Sequence, residues 1–199
     1  METKKLALTI VFAAIAIVLN PALTNIALPY PFAQFLIYQI WEIPIVIAFL
    51  IISPLSGITV ALLNTGVLLA LFPGTIPTGP LYNLLATLSM QMGIYVAVFM
   101  GKRVYRNKTR QTSILKSVKW LIIATVMGIS TRAVFMTIIQ YFALPQAPPI
   151  GYGFDQTFTV ALLPLSAFFN ITLAAYTIPI GWLIARSVQI ILPLSLSKT

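Results

Sequence analysis

Seven polar side chains stand out in a chain of 199 residues that has few of them: Glu42, Asn64, Asn83, Arg132, Gln140, Ser166 and Asn170. Amides, a hydroxyl, one carboxylate and one guanidinium can hold a molecule by hydrogen bonds and charge, but they are poorly suited to breaking bonds. The chain contains no histidine and no cysteine, and its only acids are Glu2, Glu42 and Asp155. A histidine general base, a thiol nucleophile and the commonest zinc and haem ligands are therefore missing. A carboxylate-clustered Mg²⁺ or Ca²⁺ site is equally disfavoured. No glycine-rich phosphate cradle and no nucleophile–base pair occurs along the chain. The expectation is a binding or transport protein, not an enzyme, with no metal site and no cofactor of its own.

The elements that carry these residues are set by composition. Hydrophobic residues make up 59% of the chain and charged ones 8%, and the mean hydropathy is +0.98. Soluble domains carry roughly a quarter charged residues, so this chain cannot coat itself for water and reads as an integral membrane protein. Its apolar runs are continuous, which argues for helices over a barrel whose strands would alternate. Twelve Lys/Arg against three acids give a net charge of +9. In a membrane chain this excess marks loops held at the cytoplasmic, lipid-facing surface, and no nucleic-acid partner is expected.

Taken in order, Leu6–Leu28 is the first apolar span and Pro29–Gln39 an aromatic, turn-rich connection. Trp41–Phe72 then holds two apolar runs separated by Ser53-Pro54-Leu55-Ser56-Gly57, and Pro73–Pro80 is a loop. Leu81–Met100 spans again, and Gly101–Trp120 carries seven Lys/Arg with no acid. Leu121–Leu144 and Thr157–Ala185 are the last two spans. Lys4, Lys5, the basic loop, Arg186 and Lys198 all favour one side. That requires an even number of crossings before the basic loop, so Ser53–Gly57 becomes a cytoplasmic turn with Pro54 opening a new helix. The expected fold is a single all-α membrane domain, residues 1–199, with six transmembrane helices and both termini in the cytoplasm. The multi-pass chain belongs in the cell membrane, with Ser56 and Lys108 inside and Thr78 outside.

Positions four apart share a helix face. Asn83, Thr87 and Gln91 draw one polar stripe; Arg132, Met136 and Gln140 draw a second; Ser166 and Asn170 lie on a third. Glu42 opens its helix at the outer face and Asn64 lies mid-helix. Polar groups in hydrocarbon must face a bundle interior or a wet cavity, which suggests an outward-opening pocket, with Pro31, Phe32 and Phe35 placed to close over it. Amides that staple helices together would give the same pattern. Arg132 either contacts a ligand or pairs with Glu42. Thr9, Ala13, Ala16 and Asn20 form a small, polar face on the first helix, suited to close packing either within the chain or against a partner.

The ordered series Glu42-Ile43-Pro44, Ser53-Pro54-Leu55-Ser56-Gly57, Leu63-Asn64, Thr78-Gly79 with Asn83, and Arg132-x-x-x-Met136-Thr137 before Gln140-Tyr141-Phe142 and Pro145 resembles the substrate-binding S components of energy-coupling factor (ECF) transporters, most closely the riboflavin-type members. Gln140 stands where those members commonly carry Asn, and their Pro-Phe-Asn step appears here as Pro164-Leu165-Ser166. The resemblance implies a non-catalytic subunit that binds a vitamin, riboflavin first, through Glu42, Asn64, Asn83, Arg132, Gln140, Ser166 and Asn170. It implies assembly with a transmembrane T component and two ATPase subunits, which use the ATP, and docking of the T component on Thr9, Ala13 and Ala16. A different, anionic vitamin and a self-sufficient secondary carrier are the alternatives.

Overall fold

The computed structural model describes residues 2–24, 28–71, 76–104 and 111–191. Lys108, Lys198 and residues 72–75, which include the start of the Pro73–Pro80 loop, lie outside them. Helix α1 (Glu2–Val18) leads into a short turn of helix, α2 (Pro21–Thr24). Strands β1 (Leu28–Tyr30) and β2 (Ala33–Tyr38) follow, then helices α3 (Glu42–Ile51), α4 (Pro54–Leu71) and α5 (Gly79–Val104). The short α6 (Gln111–Lys116) precedes α7 (Val118–Ala143) and α8 (Gln156–Ile191). Four of these, α4, α5, α7 and α8, are long and apolar enough to cross a membrane; α1 has 17 residues and α3 only ten.

The break between α3 and α4 is a true reversal. Ser53 caps α4, its Oγ accepting a hydrogen bond from the Ser56 amide at 3.1 Å, and Pro54 occupies the first helical position, where a missing N–H costs nothing. A Cβ added at Gly57 would lie 2.6 Å from Cβ of Phe49. Residues eight apart on one continuous helix would be about 12 Å apart, so α4 folds back along α3. All of α3 except Ile43 is buried, with α1, α4 and α8 packed around it. A helix too short to span alone is thus sheltered by protein, as backbone in an apolar medium requires.

Two expectations need correction. The first span does not run to Leu28: α1 ends at Val18, and Asn20 Oδ1 accepts from the Ala22 amide at 3.0 Å to start α2 at Pro21. The aromatic connection that follows is a β-hairpin, with Leu28 opposite Tyr38 and Tyr30 opposite Ala33, so the chain is not wholly helical. Tyr30 and Ala33 pack on Phe169 and Leu173 of α8. Aromatic and β-branched residues suit such a half-buried pleated surface.

The small face of α1 also needs correction as a docking surface. Thr9, Ala13 and Ala16 are 5%, 4% and 0% exposed, and α1 packs on α3 and α4. The face that α1 leaves open is instead Leu6, Ile10, Val11, Ile15 and Val18. Small side chains let the backbones of α1 and its neighbours approach. Ala13→Leu should therefore destabilise the isolated protein by about 1–3 kcal/mol through overpacking. A melting temperature equal to the parent's would show that the face is open after all.

Candidate binding site

Arg132 lies on the stripe Trp120, Ala124, Gly128, Arg132, Met136 and Gln140, the buried face of α7. Glu42 is the first residue of α3, directly after Trp41. Their side chains meet in a two-pronged ion pair, Nη1 to Oε2 at 2.5 Å and Nη2 to Oε1 at 3.0 Å. Both are buried, at 1% and 0% exposure. The third nitrogen of the guanidinium is also engaged: Nε donates to Asn170 Oδ1 at 3.1 Å. Asn170 Nδ2 in turn donates to the Ser166 carbonyl at 2.9 Å, and Ser166 Oγ donates to Gln140 Oε1 at 2.5 Å. Planar, bidentate pairing of this kind is where arginine exceeds lysine.

The carboxylate is held from the other side by residues that the polar stripes did not reveal. Gln39 Nε2 donates to Glu42 Oε1 at 3.3 Å, and Trp41 Nε1 donates to Gln39 Oε1 at 2.6 Å. Tyr176 Oη donates to the Gln39 carbonyl at 2.7 Å, tying the end of the hairpin to α8. The available signal was Gln39-Ile40-Trp41-Glu42 itself, an amide, an indole and an acid within four residues of an otherwise apolar run.

Gln140 joins this network to a cavity of about 140 Å³. The cavity lies where the hairpin, the start of α5, the end of α7 and the α7–α8 loop meet, among Phe35, Tyr82, Asn83, Met136, Gln140 and Tyr152. Phe35 packs on Tyr152 with ring centroids 5.0 Å apart, and Tyr152 stacks on Phe154 at 5.1 Å. Half-burial pushes the Tyr152 phenol above its usual pKa, so the ring is neutral at physiological pH. The loop is tied to α5 by Tyr82 Oη, which donates to the Ile150 carbonyl at 2.6 Å, and by Thr78 Oγ1, which donates to the Pro149 carbonyl at 2.5 Å. Two amides face this cavity with capacity to spare. Neither the Asn83 side chain nor Gln140 Nε2 makes a hydrogen bond among the described residues.

Of the seven expected site residues, then, Glu42, Arg132, Asn170, Ser166 and Gln140 form one connected network, and Asn83 and Gln140 line the cavity. Asn64 does neither: it is fully buried on α4, with both amide atoms unpartnered among the described residues. Phe35 covers the cavity, while Phe32 points outward at 65% exposure and Pro31 is also exposed. No group of acids able to hold a metal occurs among the described residues.

No protein-family model matches the chain, and no curated protein matches it significantly. Among solved structures, the S component of a bacterial ECF transporter is similar to it, with a TM-score of 0.72 and 26% sequence identity. That similarity covers 96% of this chain and 98% of the other. A likeness over nearly the whole of both chains, together with four apolar helices of spanning length, makes this a multi-pass membrane protein with the fold of an ECF transporter S component.

Proposed function

We propose that the chain is the substrate-binding S subunit of an ECF-type vitamin uptake transporter, with riboflavin the first candidate. The observation that carries this reading is the cavity at the loop end of α5 and α7, where the Asn83 amide and Gln140 Nε2, without hydrogen bonds among the described residues, stand among aromatic rings beside a closed charge network. Concave sites that combine apolar walls with a few placed polar groups are where small molecules bind. At about 140 Å³ the cavity is smaller than the roughly 300–1,000 Å³ of such sites. A vitamin must therefore displace Phe35 or the loop that carries Tyr152. The subunit carries out no catalysis and holds no cofactor; a transmembrane T component and two ATPase subunits would supply the ATP-driven step.

The matching topology has six crossings, α1, α3, α4, α5, α7 and α8, with both termini in the cytoplasm. Lys4, Lys5, Lys102, Arg103, Lys116, Lys119 and Arg186 then share one face, as positive residues of short loops do. At 1.5 Å per residue α3 covers about half of a roughly 30 Å core, and the hairpin fills the layer above it. Because the chain has no cysteine, single-cysteine labelling in intact cells reads this directly. Pro77→Cys should react with an impermeant thiol reagent from outside, and Leu55→Cys and Lys116→Cys only after permeabilisation. Labelling of position 55 from outside removes the reversal between α3 and α4 from the membrane topology.

Native mass spectrometry for a co-purified ligand, followed by a flavin fluorescence titration, tests the function itself. Quenching at micromolar protein supports riboflavin. No quenching, with a different vitamin bound, moves the substrate and leaves the subunit class. Asn83→Ala removes an amide on which no hydrogen bond among the described residues depends, so it should weaken ligand binding about five- to thirty-fold with an unchanged melting temperature. Unchanged affinity would take Asn83 out of the site.

A further inference from the structure

We infer that the last turns of α5 hold the headgroup of an anionic phospholipid, with Lys102 and Arg103 on its phosphate and Tyr95 and Phe99 along the start of its chains. The site lies at the opposite end of α5 from the cavity near Asn83 and does not depend on what binds there. Three features lead to it.

The first is depth. Helix α5 has 26 residues, about 39 Å at 1.5 Å per residue. The hydrocarbon core is roughly 30 Å thick, or about 40–45 Å with both headgroup layers. Lys102 and Arg103 fall in the last turn of α5, so they reach the level at which lipid phosphates lie. Long cationic side chains placed there lay their stems on apolar surface and keep the charge among the headgroups.

The second is the surface beneath them. Met92, Tyr95, Val96, Phe99, Met100 and Arg103 recur three and four apart, one face of the helix. The five that precede Arg103 are 36–54% exposed. Tyr95 and Phe99 stack with centroids 6.2 Å apart, and the guanidinium carbon of Arg103 lies 4.6 Å from the centroid of Phe99. An arginine held on an aromatic face is oriented in advance and keeps its fork of N–H donors for a phosphate. Lys102 joins Tyr95 and Phe99 in lining a cleft of about 60 Å³ against Pro54, at the α3–α4 reversal.

The third is unbalanced charge. Glu42 is committed to Arg132, and Asp155 caps the start of α8, accepting from the Thr157 amide at 2.8 Å. Among the described residues no carboxylate pairs with Lys102 or Arg103. Two cations without a counter-ion, set on top of an apolar stripe, complement a phosphodiester whose chains continue down that stripe. An acidic protein segment would call for cations that stand clear of the bilayer, whereas these are continuous with the surface that faces lipid.

Native mass spectrometry of the full-length protein in detergent, titrated with dioleoyl phosphatidylglycerol or dioleoyl phosphatidylcholine, tests the site. The anionic lipid should bind about ten-fold tighter or more, since each cation beside such a headgroup contributes about five-fold. Lys102 and Arg103 are exposed, so Lys102→Gln/Arg103→Gln should elute like the parent. It should lose about ten-fold in affinity for phosphatidylglycerol and none for phosphatidylcholine. Phe99→Leu keeps both charges but frees Arg103, and should lose about two- to five-fold. Lys4→Gln/Lys5→Gln removes the same charge from α1, which packs on α3 and α4, and should lose less than about two-fold because distant charges are screened. Equal affinity of the parent for the two lipids overturns the inference, as does a Lys102/Arg103 variant that binds phosphatidylglycerol like the parent. An equal loss in the Lys4/Lys5 variant also overturns it, because the preference would then follow net charge and not a site. Displacement of the lipid by an equal concentration of free glycerol phosphate would show that the chains add nothing, and removes a lipid as the occupant. An unchanged lipid preference with lost co-purification of partner subunits in the Lys102/Arg103 variant assigns the face to a protein and overturns the inference as well.

Discussion

Arg132→Met should leave little folded protein in the membrane. Methionine fills much of the same volume but has no donor, so the Glu42 carboxylate, fully buried, would keep only the Gln39 amide at 3.3 Å. Asn170 Oδ1 would lose its donor at the same time. Removing one partner of a buried ion pair costs about 3–5 kcal/mol, because the other charge is left uncompensated. That is a large part of the 5–15 kcal/mol that holds a typical domain together. The damage would also spread, since Glu42 starts α3, Arg132 lies in α7 and Asn170 in α8, three helices joined at one point. Size-exclusion chromatography of a fluorescent fusion should show aggregate or no protein. Glu42→Gln/Arg132→Met should return most of the monomer peak, because a neutral, well-packed replacement of the whole pair carries no unpaired charge. Were Arg132→Met alone to elute and melt like the parent, the pair would contribute nothing to folding.

Much of this arrangement could be read from the chain before any coordinates. The rule that polar groups in an apolar medium must face inward put Arg132 and Gln140 on one stripe, and both lie on the buried face of α7. Charge asymmetry and Pro54 split the long apolar stretch into two helices, and the Phe49–Gly57 approach shows the reversal. Other features left weaker traces. The direction of a helix face is not set by its small residues: a Thr/Ala stripe permits close approach but does not say to what, and α1 turns that stripe inward onto α3 and α4. The hairpin was obscured because its six-residue strand Ala33–Tyr38 is mostly apolar on both faces, without the alternation that marks a strand. The pairing of Glu42 with Arg132 joins residues ninety apart, and depth along a helix counted from sequence errs by about a turn (5.4 Å). The sequence therefore left open whether Arg132 pairs with Glu42, which in fact grips the guanidinium with both oxygens. Asn64 shows the limit of the inward-facing rule, since its burial follows from helix geometry and its partner does not.

Gly93→Val should be strongly disruptive although Gly93 has no side chain of its own to lose. Gly93, Ala97 and Gly101 follow one another at four-residue spacing on the buried face of α5, opposite Trp120, Ala124 and Gly128 on α7. Small residues repeated in this way let two membrane helices approach until their backbones touch. A Cβ at Gly93 would lie 2.5 Å from Thr131 Oγ1 and 2.6 Å from the carbonyl carbon of Met127. Thr131 Oγ1 cannot easily turn away, because it donates to the Met127 carbonyl at 2.9 Å. The wall is therefore backbone, and a branched side chain has to push α7 bodily outward. Overpacking usually costs about 1–3 kcal/mol, and a backbone wall places this case at or above the upper end. Thr131 adjoins Arg132, so the displacement also draws the guanidinium away from Glu42, coupling the steric cost to the buried pair. Gly66 is the control, with nothing within 4 Å of an added Cβ. Gly66→Ala, mid-helix in α4, should raise stability by about 0.5–1 kcal/mol through helix propensity alone. Opposite shifts in melting temperature for the two variants are expected in the same detergent. If Gly93→Val melts with the parent, α5 and α7 do not touch at backbone distance, and the frame that positions Arg132 and Gln140 is looser than described.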